Sequence, residues 1–298
     1  MNQAATPAAT AALMKQYKIV PSKALGQNFL VDSNILEKIT NLAQLSPQDG
    51  VLEIGPGLGA LTSQLILEAG KVVAVEIDDR LFGALESIFA GEEKVSLLHQ
   101  DALTADFAAI FQSELTPEQR SRLKVVANIP YSITGPLVAR ILQDVAPALS
   151  VLMVQGEVAR RMAASPGGKE YGSFSVLCQF FCQVTIAFKV PGSVFIPRPE
   201  VDSAVVVMLP RVEPLPVQDS KDFFRIVRTI FTVRRKTLVN GMLLLAELDG
   251  NRDLATRIIT GLGWSEKIRG ETLRVEEFVA LYDQIKLAGA SRNSTDAG

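Results

Sequence analysis

From Val51 to Val154 the chain switches repeatedly between short apolar runs and amphipathic stretches, and this alternation limits its fold more than any other feature. Val51–Ile54, Val72–Glu76, Val95–Leu98, Leu123–Ala127 and Val151–Val154 have the length and β-branched content of buried strands. Leu61–Ala69, Arg80–Ile88 and Gly135–Leu142 have apolar residues at helical spacing. Ahead of them Ile35–Leu45 reads as a helix that Asp32 or Ser33 could cap. Parallel strands need a crossover, usually a helix, so the pattern predicts an α/β fold: a mostly parallel sheet with helices on both faces. Ligands of such sheets sit beyond the carboxyl ends of the strands. Gly55, Glu76, Asp101 and Asn128 all fall there.

The texture changes after Lys189. Pro191, Gly192, Pro197 and Pro199 punctuate a loop before an apolar strand at Val201–Leu209. Pro210–Pro216 carries three prolines in seven residues and reads as a linker. Beyond it Phe223–Leu245, Asp253–Leu262 and Val275–Ile285 look helical, which predicts a smaller all-α C-terminal domain. The expected divisions are a flexible segment over 1–22, a main domain over 23–210 and a helical domain over 211–298.

Net charge is −2, so composition does not announce a polyanion binder. Yet Lys221–Gly270 holds ten Lys or Arg against five Asp or Glu, and such asymmetry can mark a surface that faces a polyanion. No apolar run nears the ~20 residues needed to span a bilayer. The Ala/Thr-rich start does not read as a secretory signal. Two cysteines, Cys178 and Cys182, lie among apolar neighbours without companion ligands, and are expected to be reduced core thiols. The single histidine, His99, cannot build a zinc centre or a triad with what surrounds it, so no metal is expected. A cytoplasmic protein without membrane attachment is the expectation.

Gly55-Pro56-Gly57-Leu58-Gly59 joins the first strand to its helix, where glycine lets a ligand approach the backbone. The spacing is G-x-G-x-G, not the G-x-G-x-x-G of the dinucleotide fingerprint. Glu76, 21 residues after Gly55, could grip two ribose hydroxyls. Asp101 could accept from an adenine amine. A glycine turn kept for packing and a dinucleotide site stay open. Glu53, close to the loop, favours a third reading: it suits the ammonium and sulfonium of S-adenosylmethionine better than a pyrophosphate.

Asn128-Ile129-Pro130-Tyr131 is the sharpest signal. An adenine amine is a poor nucleophile because its lone pair delocalises into the ring. The Asn128 oxygen and the carbonyl of Ile129 or Pro130 could accept its two N–H groups and turn the lone pair outward, with Pro130 stiffening the turn. Tyr131 offers a face for a base taken out of its stack. Taken alone, these four residues could equally be a strand-ending turn.

With these blocks in place, the chain resembles the small-subunit ribosomal RNA adenine dimethyltransferase family over about residues 23–287. The likeness rests on Leu25-Gly26-Gln27-Asn28-Phe29-Leu30, the glycine loop, Glu76, Asp101, Asn128–Tyr131, Gln155–Met162 with Tyr171–Leu177, and Phe195–Val205. Arg234-Arg235-Lys236-Thr237-Leu238 and Arg269–Leu273 extend it. Ile129, Gly156 and Phe174 depart from the commoner family residues without touching the chemistry.

The resemblance implies a Rossmann-like class I methyltransferase fold and transfer of two methyl groups to each of two adjacent adenosines near the 3′ end of 16S rRNA. The partner implied is the small ribosomal subunit or its assembly intermediate, met by a monomer. Asn28, Leu30, Gly55, Gly57, Glu76, Ile77, Asp101, Ala102 and Asn128 become expected S-adenosylmethionine contacts. Asn128, Pro130, Tyr131 and Phe195 become the expected catalytic set, Phe195 as second aromatic wall of the base pocket. Arg234, Arg235 and Lys236 become expected RNA contacts. A large-subunit relative conferring antibiotic resistance and a non-catalytic assembly or transcription factor are the competing readings.

Overall fold

The structure, a computed structural model, describes residues 5–22 and 24–295. The chain divides into two compact units. The first takes Met1–Ala159 and Gln183–Pro210, the second Arg160–Cys182 and Arg211–Gly298.

The strands are β1 (Phe29–Leu30), β2 (Gly50–Ile54), β3 (Lys71–Glu76), β4 (Val95–His99), β5 (Lys124–Asn128), β6 (Leu149–Gln155), β7 (Cys182–Val190), β8 (Phe195–Ile196) and β9 (Ser203–Pro210). Seven form one sheet in the order β4-β3-β2-β5-β6-β9-β7, while β1 and β8 pair apart from it. β2 to β6 run parallel; β9 is antiparallel to β6, with Ser150 opposite Met208 and Gln155 opposite Ser203. Every residue of β2 is buried, as expected of a strand covered on both faces. The strand order reverses beside β2, which opens a crevice between the carboxyl ends of β2 and β5.

Side-chain caps fix where the helices start. The Asp32 carboxylate accepts from the backbone of Asn34 and Ile35 ahead of Ser33–Ala43, and Asp78 does the same for Arg80 and Leu81 ahead of Asp79–Ile88. At the amino ends of the strands, Asp49 is fully buried and accepts from the Ser46 backbone, Arg122 Nε and Lys124 Nζ, each at 2.8 Å. Burial alone would raise its pKa, but the Lys124 and Arg122 bonds outweigh it and hold the carboxyl below the usual range.

The second unit packs around aromatic rings. Phe180 meets Phe223 at 5.0 Å and Phe224 at 5.2 Å, and Tyr171 donates to the Leu273 carbonyl at 2.8 Å. Cys178 and Cys182 are free and buried; burial pushes the Cys182 thiol up to about 12, so neither is a reactive thiolate at neutral pH.

The structure departs from the sequence-based expectations in several places. Residues 1–22 are not uniformly flexible: Pro7–Gln16 is a helix capped by Thr6, with Pro7 at its first turn and Leu13 buried, while residues 1–4 lie outside the described chain. The expected helix Phe223–Leu245 is broken into Ser220–Thr232 and Leu238–Met242. Arg160–Cys182 belongs with the helical unit, although the sequence reading drew the boundary at 210. The strand β7 and the helix Phe107–Glu114 were not anticipated.

Candidate active site

At the carboxyl ends of β2 to β5 the first unit encloses a cavity of about 180 Å³. Asn28, Leu30, Gly55, Gly57, Glu76, Ile77, Asp101, Ala102, Asn128, Pro130 and Tyr131 all line it. The sequence reading scattered these residues over a hundred positions; parallel strands bring them to one crevice.

The glycine loop forms its floor. Gly55 and Gly57 have φ of +68° and +62°, the left-handed region that other residues rarely adopt. A Cβ on Gly57 would also stand 3.1 Å from the Phe29 ring. Behind the loop Glu53 is buried and accepts from Thr62 Oγ1 at 2.7 Å. Desolvation, with Glu76 close by, pushes its carboxyl up to about 8, so the unliganded protein keeps a proton there at neutral pH.

Glu76 ends β3. Its Oε1 accepts from the backbone of Ile77 and Asp78, both at 2.9 Å, which fixes the carboxylate against the chain turn and leaves Oε2 outside these two bonds. Burial raises its pKa as well. Asp78 is held down to about 2: burial opposes ionisation, but Arg80, Gln27 and the backbone of Leu81 and Arg80 overcome it. The Gln27 amide donates to Asp78 at 3.0 Å, tying the Gly26–Leu30 segment to the end of β3. Asp101 Oδ1 accepts from the Leu103 backbone at 2.8 Å.

Asn128 ends β5. Its Nδ2 donates to the Asn28 carbonyl at 3.3 Å, which orients the amide and leaves Oδ1 as the free acceptor end. The Pro130 carbonyl accepts from the Ile133 backbone at 3.2 Å and shares the Thr134 hydroxyl proton with the Tyr131 carbonyl, so it is already drawn into the following turn. Of the two carbonyls the sequence allowed for a second acceptor, Ile129 is the one that remains. The Tyr131 hydroxyl shares a 2.6 Å hydrogen bond with Ser203 Oγ on β9, which fixes the ring; burial pushes its phenol up.

Two expected site residues lie outside this cavity. Phe195 does not line the cavity: it is 3% exposed, sits opposite Leu30 in the β1–β8 pair and packs in the core with Leu36 and Val205. Arg234 is structurally engaged. Its guanidinium donates to Glu271 at 2.6 Å and to the carbonyls of Lys169 and Gly168 at 2.8 and 2.9 Å. Arg235 and Lys236 are exposed in the break between the two helices.

The chemistry of the lining discriminates between the ligand classes left open by the sequence. Among the described residues the cavity presents the carboxyl groups of Glu76 and Asp101, with protonated Glu53 behind the loop, and no Lys, Arg or His. A pyrophosphate would meet repulsion there without a cationic partner; a ligand with positive charges on its amino-acid end and hydroxyls on its sugar would not. The donor set fits S-adenosylmethionine.

A model of the ribosomal RNA adenine dimethylase family matches residues 21–284. The chain belongs to this family. It is 46% identical over 285 residues to ribosomal RNA small subunit methyltransferase A of Moorella thermoacetica, covering 94% of this chain and 98% of that protein. The protein of the same name from Bacillus cytotoxicus is 42% identical over 284 residues, 94% of this chain and 97% of that one. Among solved structures, a dimethyladenosine transferase of Plasmodium falciparum superposes with a TM-score of 0.73 at 27% identity, over 87% and 98% of the two chains. The 23S rRNA methyltransferase ErmE gives 0.64 at 25%, over 86% and 99%. As a member of this family the protein is an S-adenosylmethionine-dependent methyltransferase acting on adenine in ribosomal RNA. No described helix is long and apolar enough to cross a membrane.

The proton on Glu53 gives a testable pH dependence. Its folded pKa, about 8, lies above the ordinary 4.5, so the folded state binds the extra proton between those values. The contribution of Glu53 to the stability of the cofactor-free protein is therefore fullest below pH 4.5 and falls as pH rises towards 8. Glu53→Gln, which can still accept from Thr62, should flatten this slope; calorimetric melting from pH 5 to pH 8 reads it. An unchanged slope in the variant would place the proton elsewhere.

Proposed function

We propose that the protein dimethylates the 6-amino groups of two adjacent adenosines near the 3′ end of 16S rRNA, acting as a cytoplasmic monomer on the small ribosomal subunit or an assembly intermediate. One observation carries the site assignment: an acid-lined cavity without a cation opens onto an oriented Asn128 oxygen and the Ile129 carbonyl. The cofactor supplies a methyl group on a sulfonium, which needs a positioned nucleophile more than a strong base.

The chain's own residues provide that positioning. Glu76 would accept from the ribose hydroxyls of the bound cofactor, and Asp101 would accept from its adenine amine. Asn128 Oδ1 and the Ile129 carbonyl accept the two N–H groups of the target amine, so its lone pair faces away from them. Tyr131, held by Ser203, stacks on the extruded base. When bound, S-adenosylmethionine would supply the methyl group, and the proton lost by the methylated amine would pass to water. Alignment supplies most of the acceleration. Glu76→Ala should raise the Kd for S-adenosylmethionine about 10–100-fold, the worth of hydrogen bonds to a charged group; titration calorimetry measures it.

Arg235 and Lys236, exposed in the break between the two helices, are the phosphate contacts we favour. Replacing either with Ala should reduce the slope of log affinity against log salt by about one. Arg234→Ala should instead lower the melting temperature, because it strips the Gly168–Lys169 turn and Glu271 of their donor.

Mass-spectrometric mapping of methylated adenines, after incubation with undermethylated small subunits and separately with large subunits, tests the address. Methylation confined to large subunits would favour the resistance-enzyme reading. Rescue of subunit assembly by a methylation-dead Asn128 variant would add a non-catalytic role.

A further inference from the structure

Helix Pro7–Gln16 lies ahead of residue 21, where the family match begins, yet it reaches the cofactor cavity. Thr10, in the middle of this helix, is wholly buried and lines the same cavity as Glu53, Glu76, Asp101 and Asn128. We propose that helix Pro7–Gln16 is a wall of the cofactor site and sets how long the cofactor stays bound. This rests on the reading that the cavity takes S-adenosylmethionine.

The helix is fastened to the rim of the cavity along its length. Just ahead of it, Ala5 packs in the core that contains Leu30, Leu36 and Leu61. Leu13, with Met14 and Tyr17 beside it, packs with Phe29, Leu58, Leu81 and Ala84. Leu58, Leu61, Leu30 and Phe29 line the cavity themselves, so the helix spans the edge of the glycine loop on one side and the Asn28–Leu30 segment on the other. The chain then turns back through Lys18, at φ +53°, with the Ile19 backbone donating to the Met14 carbonyl at 2.8 Å. From there it is stitched down again: the Ser22 backbone donates to Gln27 Oε1 at 2.7 Å, and Gln27 Nε2 donates to Asp78, two residues beyond Glu76.

A ten-residue helix is marginal by itself in water and persists only through packing. Its docking and the occupancy of the cavity are therefore linked. A cofactor touching the helix adds contacts only the docked state can make, and by reciprocity the docked helix slows its release. Entry and exit then draw on local undocking of an N-terminal element, the kind of segment that opens most cheaply.

The test uses the full chain, a variant lacking residues 1–17, and Leu13→Ala, which loosens the docking face without altering a cavity-lining residue. Stopped-flow binding of S-adenosylmethionine is expected to show dissociation about tenfold faster in the truncated protein and several-fold faster in Leu13→Ala, with smaller changes in association. Hydrogen exchange of the amides of residues 7–16 in the full chain should slow when the cofactor is added. A truncated protein that melts like the full chain and releases cofactor at the same rate overturns the inference. Should the truncation fail to fold, exchange over residues 7–16 that ignores the cofactor overturns it instead. A full chain that binds no S-adenosylmethionine at all would overturn the cofactor reading, a separate outcome from either of these.

Discussion

Asn128→Ala should lower the methylation rate about a thousandfold while leaving S-adenosylmethionine binding within a few-fold of the parent protein. The split follows from geometry. The Asn128 amide is anchored through Nδ2 to the Asn28 carbonyl, so its oxygen has a fixed direction. Removing that oxygen leaves one of the amine's two N–H groups without an acceptor, and the lone pair loses its alignment with the methyl group. The cofactor side of the cavity, built by Gly55, Gly57, Glu76 and Asp101, is untouched. Single-turnover kinetics on undermethylated small subunits, with calorimetric binding in parallel, separates the two quantities. Retained turnover would remove Asn128 from the amine geometry. A matched loss of binding would move it to the cofactor.

Asp49→Ala should destabilise the first unit by about 3 kcal/mol. Asp49 is buried, and its removal leaves Lys124, itself largely buried, without its carboxylate. It also frees the Ser46 backbone and one side of Arg122. Arg122 is half exposed and can return to water, which keeps the expected cost at the lower end of that for broken buried pairs. Because the folded pKa is lowered, the contribution is present above the ordinary carboxylate pKa and is lost as pH falls through the still lower folded value. The gap between parent and variant should thus narrow under acid conditions, below the window of the Glu53 effect and opposite to it in sign. Denaturant titrations at pH 7 and below pH 4 measure both. A gap that is constant across pH would mean the loss is one of packing.

Much of the active site was legible in the sequence because it sits at strand ends, and strand ends are marked locally. The glycine loop, Glu76, Asp101 and Asn128 each follow an apolar run, and parallel pairing does the rest. The place of Phe195 was not legible, because a sequence carries a residue's type and not its direction. Pairing with Leu30 turns it into the core. The break after Thr232 is likewise invisible locally: nothing in Phe223–Leu245 forbids a helix, and Arg234 takes its partners from Gly168, Lys169 and Glu271, dozens of positions away. Helix Pro7–Gln16 had local signs in Thr6 and Pro7, but its value lies in what it packs on. The strand β7 carried a usable signal, since exposed and buried positions alternate from Cys182 to Val190.

The chain path through the helical unit bears on how such proteins can be rearranged. The main chain leaves the first unit after Ala159, gives 23 residues to the second unit, returns for β7 to β9, and leaves again after Pro210. An RNA-reading module joined at a single seam could be exchanged between relatives like a cassette. Here the seam is crossed three times. A graft that starts at Arg211 would leave behind Tyr171, Val176 and Phe180, which belong to the core it carries away. Exchange of the second unit between members of this family must therefore transplant Arg160–Cys182 together with the C-terminal helices, or part Tyr171 and Phe180 from the aromatic core they belong to.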